Sequence, residues 1–367
     1  MLCTGSQKET LELSCFLCFT GGSLLSARVE EKRALDIQIG VIGAGSWGTT
    51  LANLLAKKGF EVALWVYEND LVKAIATARE NPLYLPGVKL SEKIFPTNSL
   101  KEACQHKDFL ICVSPSQVVR QVIEKVRPYL LPQTKIVSAT KGIENNTLFT
   151  MSKVLEETLA LNDGARLAVL SGPSFAIEVS REVPTAVTIA SENQELAGKV
   201  QHIFSTPYFR AYTNPDVVGV ELGGALKNVI AIATGISDGL GFGYNTRAAL
   251  ITRGLAEISR LALNLGANPL TLSGLAGLGD LVLTCTGELS RNRSVGVKLG
   301  EGIGLTQILK DMKMVAEGIK TTKSVCDLSK KMDVEMPITQ QVYNILYRDK
   351  NPKEAVTELM GRDLKVE

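Results

Sequence analysis

The stretch Ile39–Ala52 reads IGVIGAGSWGTTLA and decides the fold. It belongs to an apolar run, Ile37–Ile42, of the kind found in parallel strands that are buried on both faces. Three glycines follow at the spacing G-x-G-x-x-G: Gly43, Gly45 and Gly48. Thr49–Lys58 then has helix-forming character. The sequence therefore predicts a strand, a tight turn and a helix whose N-terminal amides face the turn.

Such a turn fits the pyrophosphate of a dinucleotide. The first glycine allows the sharp turn, the second lets the backbone approach the phosphates, and the third lets the helix pack close to the strand. A second predicted strand, Glu61–Val66, is followed by Glu68 about 20 residues beyond the glycines, where an acidic residue binds the ribose. The alternative is a purely structural turn, because a bare G-x-G-x-x-G is a weak signal. The flanking strand and helix favour the cofactor site.

The composition is that of a soluble globular enzyme. Of the 367 residues, 45% are hydrophobic and 21% are charged, and this length corresponds to about two domains. The formal net charge of +2 favours neither nucleic acid nor an anionic membrane surface as a partner. No apolar run reaches the ~18 residues that a membrane span requires, so we expect no span.

The cysteines indicate a reducing compartment. Seven of them are scattered along the chain, which predicts free thiols in the cytoplasm rather than a disulfide framework. Cys15 and Cys18 form a C-x-x-C pair without a second ligand pair nearby. Structural zinc needs four ligands, so we expect no metal site.

Residues 34–214 are predicted to form a dinucleotide-binding domain, preceded by a disordered extension at residues 1–33. The predicted strands are Ile37–Ile42, Glu61–Val66, Phe109–Val113, Lys135–Ala139, Leu167–Leu170, Pro184–Ala190 and Phe209–Tyr212. The predicted helices between them are Thr49–Lys58, Leu71–Ala78, Gln117–Arg127, Leu148–Leu159 and Glu195–Ser205. Strands that alternate with helices predict a doubly wound (Rossmann) parallel sheet, an α/β fold.

Residues 215–367 are predicted to form a second, all-α domain that binds the substrate. Val217–Ile236 is apolar on almost every side, with Glu221 and Lys227 as its only charges, which predicts a central buried helix. Further helices are predicted at Thr246–Leu265, Leu305–Lys310, Ile319–Lys331, Thr339–Leu346 and Pro352–Met360.

Lys227 is the sharpest candidate for catalysis. A lysine inside an apolar helix loses hydration, so its pKa should fall until it can act as a general base on a hydroxyl, or as an acid in reverse. The chain has only two histidines, and neither lies in an acidic or catalytic motif. The alternative is that Lys227 extends its stem to solvent, and the helix alone leaves both interpretations open.

Polar groups elsewhere could complete a site. Asp280 ends the glycine-rich GLAGLGD, which we interpret as a turn that exposes its carboxylate at a cleft; the alternative is a helix N-cap. The SRNR run at residues 290–293 is interpreted as a loop that grips a phosphate or carboxylate, or alternatively as a solvated charge cluster. Ala139–Gly142 and Ser171–Ala176 follow predicted strand ends, where doubly wound sheets bind ligands.

Seven motifs occur together in one order: GAGSWGT, ATKGIE, SGPSFAIE, ELGGALKN, GLAGLGDLVLTCTG, SRNR and VAEG. In order and spacing they resemble the bacterial NAD(P)-dependent glycerol-3-phosphate dehydrogenases, over about residues 37–360. The resemblance implies reversible hydride transfer between NAD(P)H and dihydroxyacetone phosphate, giving sn-glycerol 3-phosphate for phospholipid synthesis.

The resemblance also implies roles for individual residues, with Lys227 as the proton acceptor and Asp280 as its partner at the substrate. The residues implied to hold the substrate are Lys141, Gly172, Ser174, Lys227, Asp280, Ser290, Arg291 and Asn292. Besides the three glycines, the residues implied to contact the cofactor are Ser46, Trp47, Tyr67, Lys141, Ala176, Arg291, Val315 and Glu317.

The chain departs from its bacterial relatives after the second strand. They tend to carry Arg or His where an adenosine 2′-phosphate would lie, whereas this chain reads LWVYEND, with Tyr67 before Glu68. A carboxylate favours a free ribose 2′-hydroxyl and repels a phosphate, and LWVYEND resembles the NAD-using eukaryotic branch. We therefore expect NAD(H) or NADP(H) as the cofactor, with a preference for NAD(H).

Two other functions remain open on the sequence. The first is a lysine-base dehydrogenase of similar build acting on a 3-hydroxy acid or ketopantoate, whose carboxylate could bind Arg291. The second is a catalytically silent cofactor sensor, which would not need to keep Lys227 and Asp280. The apolar helical domain also suggests a homodimer.

Overall fold

A computed structural model describes residues 37–161, 164–312, 314–364 and 366. The chain from Gln38 onward forms one compact unit. The predicted extension at residues 1–33, with Cys15 and Cys18, lies outside the described residues.

An eight-stranded sheet occupies the first part of this unit. Its strands are β1 (Gln38–Ile42), β2 (Glu61–Trp65), β3 (Ile94–Thr97), β4 (Phe109–Cys112), β5 (Lys135–Ser138), β6 (Leu167–Ser171), β7 (Thr185–Ala190) and β8 (Phe209–Asn214). Their spatial order is β3-β2-β1-β4-β5-β6-β7-β8. The register places Ile42 beside Trp65 and Cys112, so that β1, β2 and β4 end together at one edge. The predicted Rossmann-type sheet is confirmed.

Two features of the sheet differ from the prediction. β6 and β7 are antiparallel, because the connection between them contains only the five-residue helix Ala176–Ser180, too short to return the chain along the sheet. Strand β3 was not predicted. It has four residues, includes Pro96 and lies at the edge of the sheet, where a proline is tolerated but the pattern is weak.

Helices cover the sheet and build the rest of the chain. In the sheet region they are α1 (Ser46–Lys57), α2 (Asn69–Ala78), α3 (Leu100–Cys104), α4 (Val119–Val126), α5 (Met151–Leu159), α6 (Ala176–Ser180) and α7 (Gln194–Phe204). After β8 they are α8 (Val217–Gly239), α9 (Tyr244–Asn264), α10 (Pro269–Leu272), α11 (Asp280–Thr286), α12 (Arg291–Gly300), α13 (Leu305–Asp311), α14 (Glu317–Lys331), α15 (Pro337–Arg348) and α16 (Pro352–Met360). The helical second part is therefore confirmed. The segment predicted as one helix at Gln117–Arg127 is α4 between two short 3₁₀ turns.

Helix α8 is the centre of the helical part. Its residues from Gly219 to Ser237 are all buried, as its uniform apolarity predicts. One of its two charges, Glu221, accepts hydrogen bonds from the backbone N–H of Ser152 (2.8 Å) and from the Ser152 hydroxyl. Because Ser152 lies in the first turn of α5, this carboxylate fastens α8 to a helix of the sheet region.

Helix α12 packs on α8 at backbone contact distance. A Cβ placed on Gly296 would lie 2.2 Å from the carbonyl oxygen of Ile232, and one on Gly235 would lie 2.1 Å from that of Arg293. Only glycine allows two helices to approach this closely. The N-terminal end of α12 is thereby held beside the middle of α8, where Lys227 lies.

Within the described residues, two segments are long and apolar enough to cross a membrane, judged by length and composition alone: Val217–Gly239 and Pro269–Thr286. Both are interrupted by charged residues, so the expectation that the chain has no span stays a prediction. The first segment is α8, and 89% of its most apolar stretch is buried inside the protein. The second segment contains Asp280, and 44% of its most apolar stretch is buried.

Candidate active site

The glycine turn after β1 has the shape that a dinucleotide phosphate requires. Gly43 has φ of +114°, which side chains other than glycine rarely adopt. A Cβ on Gly48 would lie 1.8 Å from the carbonyl oxygen of Gly43, so the third glycine permits the close packing of α1. A Cβ on Gly45 would meet nothing within 4 Å. Open space therefore lies in front of Gly45, as a pyrophosphate on the helix N-terminus would require.

The helix after this turn begins at Ser46, earlier than the predicted Thr49. The Ser46 hydroxyl donates to the carbonyl oxygen of Tyr84 (2.6 Å) and lies 3.4 Å from the sulfur of Met314. Trp47 packs against Phe209 with ring centroids 6.4 Å apart, and its buried indole N–H has no partner among the described residues. Ser46 thus borders the turn, whereas the Trp47 ring packs towards β8.

The residues after β2 lie beside the same turn. Tyr67 is 78% exposed, and its ring meets the edge of Trp65 at 6.1 Å between centroids. The Glu68 carboxylate accepts a hydrogen bond from the hydroxyl of Tyr84 (2.7 Å). A large exposed aromatic ring and a held carboxylate therefore stand where the ribose and adenine of a dinucleotide would bind.

Lys227 is buried and paired, with 7% of the residue exposed. Its ammonium contacts Asp280 and lies 2.8 Å from the hydroxyl of Thr284. Burial lowers the pKa of Lys227 to about 7; Asp280 opposes this effect and Lys141 adds to it. The interpretation of Lys227 as a lysine extended to solvent is therefore wrong, because its ammonium is buried and paired.

Asp280 connects two lysines from different parts of the chain. Its second carboxylate oxygen accepts from Lys141 (2.6 Å), which follows β5 and also donates to the carbonyl oxygen of Gly172 (3.2 Å). Asp280 is 1% exposed and is the first residue of α11, after a π-helical turn at Leu275–Gly279. The expectation of an exposed carboxylate on a simple turn is therefore wrong. This carboxylate is buried because both of its oxygens are neutralised by ammonium groups.

The SRNR run begins a helix and does not form the predicted loop. Ser290 is the N-cap of α12, and its hydroxyl accepts from the backbone N–H of Arg293 (3.2 Å). The Arg293 guanidinium pairs with Asp238 (2.8 Å), near the C-terminal end of α8. Arg291 is exposed and donates to the carbonyl oxygen of Val315 (3.2 Å). The helix N-terminus and Arg291 thus present positive charge.

Asn292 joins three helices. Its amide nitrogen donates to the side-chain oxygen of Asn228 on α8 (2.9 Å), and its oxygen accepts from the backbone N–H of Gly318 on α14 (3.0 Å). Asn228 directly follows Lys227. Asn292 therefore fixes the position of the α12 N-terminus relative to the lysine.

The loop after β6 forms another wall of the site. Gly172 has φ of +141°, and a Cβ there would lie 2.9 Å from the backbone of Val187. Ser174 donates to the carbonyl oxygen of Gly172 (3.1 Å), and the carbonyl oxygen of Ala176, at the start of α6, accepts from the hydroxyl of Thr50 on α1 (3.2 Å). This loop therefore connects the cofactor turn to Lys141.

Glu317, the first residue of α14, reaches back to the sheet region. Its carboxylate accepts from the hydroxyl (2.5 Å) and backbone N–H (3.3 Å) of Ser116, which follows β4. Burial raises the pKa of Glu317, and the hydrogen bonds from Ser116 oppose that rise. The neighbouring Val315 is 54% exposed. Glu317 therefore lies beside the segment that follows β4, and the Val315 carbonyl oxygen lies beside Arg291.

Four residues of this site were missed by sequence reasoning. Thr284 lies one helical turn after Asp280, Asn228 follows Lys227, Ser116 contacts Glu317, and Tyr84 contacts Glu68. The i, i+4 spacing in DLVLT could have indicated Thr284. The other three depend on contacts between distant segments.

Family comparisons agree with this architecture. Residues 38–197 match the model described as NAD-dependent glycerol-3-phosphate dehydrogenase N-terminus, and residues 216–357 match that of its C-terminus. A glycerol-3-phosphate dehydrogenase [NAD(P)+] of Geobacter metallireducens is 60% identical over 330 residues, which cover 90% of this chain and 98% of that protein.

Solved structures give the same answer. The crystal structure of glycerol-3-phosphate dehydrogenase from Coxiella burnetii is 42% identical, with a TM-score of 0.86, and the match covers 89% of this chain and 100% of that one. A ketopantoate reductase from Ralstonia eutropha has a TM-score of 0.56 at 15% identity, with 87% of this chain and 100% of that chain covered, and shares the fold alone. The resemblance noted in the motifs is confirmed: the chain belongs to the NAD(P)-dependent glycerol-3-phosphate dehydrogenase family.

Proposed function

We propose that the chain interconverts dihydroxyacetone phosphate and sn-glycerol 3-phosphate with NAD(H) or NADP(H), in the direction that supplies phospholipid synthesis. The observation that carries the proposal is Lys227, buried against Asp280 beside Lys141, with its pKa lowered to about 7 by burial. A group with a pKa near the working pH can both give and take a proton efficiently.

Each residue then has a defined task. The nicotinamide ring, when bound, supplies or accepts the hydride at C2. Lys227 gives its proton to the C2 oxygen during reduction and takes it back during oxidation. Asp280 holds the ammonium in place, and Thr284, 2.8 Å from Lys227, fixes its direction.

The phosphate end of the substrate needs positive groups at a fixed distance from Lys227. We assign it to the N-terminus of α12 with Ser290, Arg291 and Asn292, and to the loop that contains Gly172 and Ser174. The capped helix end supplies backbone N–H groups and a positive dipole. Lys141 is assigned to both substrate and cofactor, because its ammonium lies between Gly172 and Asp280.

We assign the cofactor to the turn at Gly43, Gly45 and Gly48. The other assigned contacts are Ser46, Trp47, Tyr67, Lys141, Ala176, Arg291, Val315 and Glu317. We further propose a preference for NAD(H), because the Glu68 carboxylate lies at the end of β2 and would repel a 2′-phosphate. The ratio of kcat/KM for NADH to that for NADPH tests this, and a ratio below one would refute it.

We also propose a cytoplasmic homodimer built of a cofactor domain at 34–214 and a substrate domain at 215–367. Four cysteines of the described chain, at positions 104, 112, 285 and 326, are free and buried, as a reducing compartment allows. Exposed apolar side chains on α9 to α11 support the dimer: Tyr244 (82%), Leu270 (78%) and Val282 (40%). Light scattering coupled to gel filtration would refute the dimer by giving the mass of one chain, 39.5 kDa.

The deciding experiment follows absorbance at 340 nm with NADH and dihydroxyacetone phosphate. We expect turnover by the wild type and a loss of ~10²–10⁴-fold in Lys227→Ala, the usual effect of removing a general acid. Lys320→Ala, an exposed lysine on α14, is the matched control and should behave as wild type. NADH binding by Lys227→Ala, measured by fluorescence, should persist. Turnover with ketopantoate in place of dihydroxyacetone phosphate would refute the substrate assignment.

A further inference from the structure

The Glu68 carboxylate is bound by a tyrosine from another segment of the chain. Glu68 is the N-cap residue of α2, a position at which the shorter side chains of Ser, Thr, Asp and Asn accept from the helix N–H groups. Its side chain makes no capping hydrogen bond. Instead, one carboxylate oxygen accepts from the Tyr84 hydroxyl at 2.7 Å. The carboxylate is therefore turned away from its own helix and fixed by a residue on another segment.

Tyr84 is itself fixed to the glycine turn. Its backbone N–H donates to the side chain of Asn81 (2.9 Å), and its carbonyl oxygen accepts from Ser46 (2.6 Å). Asn81 is fully buried, and its amide nitrogen donates to the carbonyl oxygen of Ala44 inside the turn (2.8 Å). A continuous chain of hydrogen bonds thus leads from the phosphate-binding turn through Asn81 and Tyr84 to Glu68.

We propose that Tyr84 is a specificity-determining positioning residue, which holds the Glu68 carboxylate at the ribose so that the enzyme discriminates against a 2′-phosphate. The inference rests on the NAD(H) preference proposed above. With one carboxylate oxygen bound by Tyr84, the other is available to accept from a ribose 2′-hydroxyl. A 2′-phosphate would meet a negative charge that cannot swing aside, because Tyr84 and the turn hold it.

The chemistry of the pair suits this task. Burial and the neighbouring carboxylate raise the pKa of Tyr84 to about 12, so its hydroxyl keeps its proton and remains a donor throughout the working pH range. A hydrogen bond to a charged acceptor is also stronger than one between neutral groups. Tyr84 therefore contributes orientation, while Glu68 contributes the charge.

The test compares Tyr84→Phe, Glu68→Gln and the double variant. Tyr208→Phe is the matched control, since Tyr208 is a half-buried tyrosine that precedes β8, at the opposite edge of the sheet from β2. One readout is the ratio of kcat/KM for NADH to that for NADPH. The other is calorimetric binding of ADP-ribose and of 2′-phospho-ADP-ribose, which requires no turnover.

We expect Tyr84→Phe to lower the NADH-to-NADPH ratio of kcat/KM by about tenfold, and to lower the ratio of the association constants of ADP-ribose and 2′-phospho-ADP-ribose by the same factor. A tenfold change corresponds to ~1.4 kcal/mol, the size of one hydrogen bond to a charged group. The melting temperature should stay at the wild-type value, so that the change reports on cofactor choice and not on folding. In the Glu68→Gln background, Tyr84→Phe should have no further effect on the ratios, since the charge that Tyr84 positions is gone.

An unchanged ratio in Tyr84→Phe, together with a fall in Glu68→Gln, would overturn the inference. So would equal losses for both cofactors, which indicate a structural role only. A wild type that prefers NADPH would instead refute the proposed preference. Even then, the positioning role requires Tyr84→Phe and Glu68→Gln to shift the ratio in the same direction, so the two failures are distinguishable.

Discussion

Replacing Asp280 by asparagine tests how the site sets the pKa of Lys227. Asparagine keeps the shape of the side chain but removes the charge between Lys141 and Lys227. Burial already lowers the pKa of Lys227 to about 7, and the Asp280 charge is the main effect that opposes a further fall. Without it, the unpaired Lys141 ammonium pushes the pKa of Lys227 in the same downward direction.

The size of the effect follows from Coulomb's law. Two unit charges ~4 Å apart interact by ~4 kcal/mol at an effective dielectric constant of ~20, and each pKa unit corresponds to ~1.36 kcal/mol. The pH at which Lys227 loses its proton should therefore move down by about two to three units. Reduction requires protonated Lys227, so its rate at pH 7 should fall by about 10²–10³-fold.

The assay is kcat/KM for dihydroxyacetone phosphate as a function of pH. In the wild type it should decline above about pH 7, where Lys227 loses its proton. In Asp280→Asn the decline should begin at lower pH, and the rising limb of the oxidation direction should move down with it. Asp238→Asn is the matched control: that carboxylate also lies between two cations, Arg247 and Arg293, but apart from Lys227.

One result would refute this reasoning. If Asp280→Asn loses activity in both directions while the pH at which kcat/KM begins to decline stays near 7, Asp280 does not set the proton affinity of Lys227. Unfolding of the variant is excluded as the cause if its melting temperature and its NADH binding are those of the wild type.

Three further predictions concern the turn and the helices. Gly45→Ala should melt like the wild type, because its Cβ meets nothing within 4 Å, yet titration calorimetry should show NADH binding weakened at least about tenfold where the pyrophosphate approaches. Gly296→Ala should lose about 1–3 kcal/mol of unfolding free energy in urea, since its Cβ would lie 2.2 Å from a carbonyl oxygen of α8, whereas Gly198→Ala, in open space on α7, should lose none. Glu221→Ala should cost ~1–3 kcal/mol by leaving the Ser152 N–H without its acceptor; an unchanged urea midpoint would contradict the role of this carboxylate.

The sequence predicted the sheet well because its signals are local. A glycine at a turn with positive φ, such as Gly43, and a short buried apolar strand can be recognised without knowing what packs on them. The edge strand at Ile94–Thr97 was not predicted because only its first two residues are apolar and Pro96 interrupts the strand pattern. The same holds for α12, whose first turn contains no apolar residue.

The site was predictable in its members but not in its geometry. Whether Lys227 is tuned or extended to solvent depends on Asp280 and Lys141, which arrive from distant parts of the chain. Only the motif series indicated that they meet. No sequence motif indicated the Tyr84–Glu68 contact, because a tyrosine 16 residues beyond a carboxylate carries no local signal.

The Asp280 bridge also has a consequence for dividing the enzyme. Lys141 is carried by the sheet region and Lys227 by the helical region, and one carboxylate neutralises both. A chain cut near residue 215 would leave a lysine without its counter-ion in one fragment and a carboxylate short of a cation in the other. The two fragments should thus be inactive alone and regain turnover only on reassociation. The measured activity would then report whether the two halves have docked correctly.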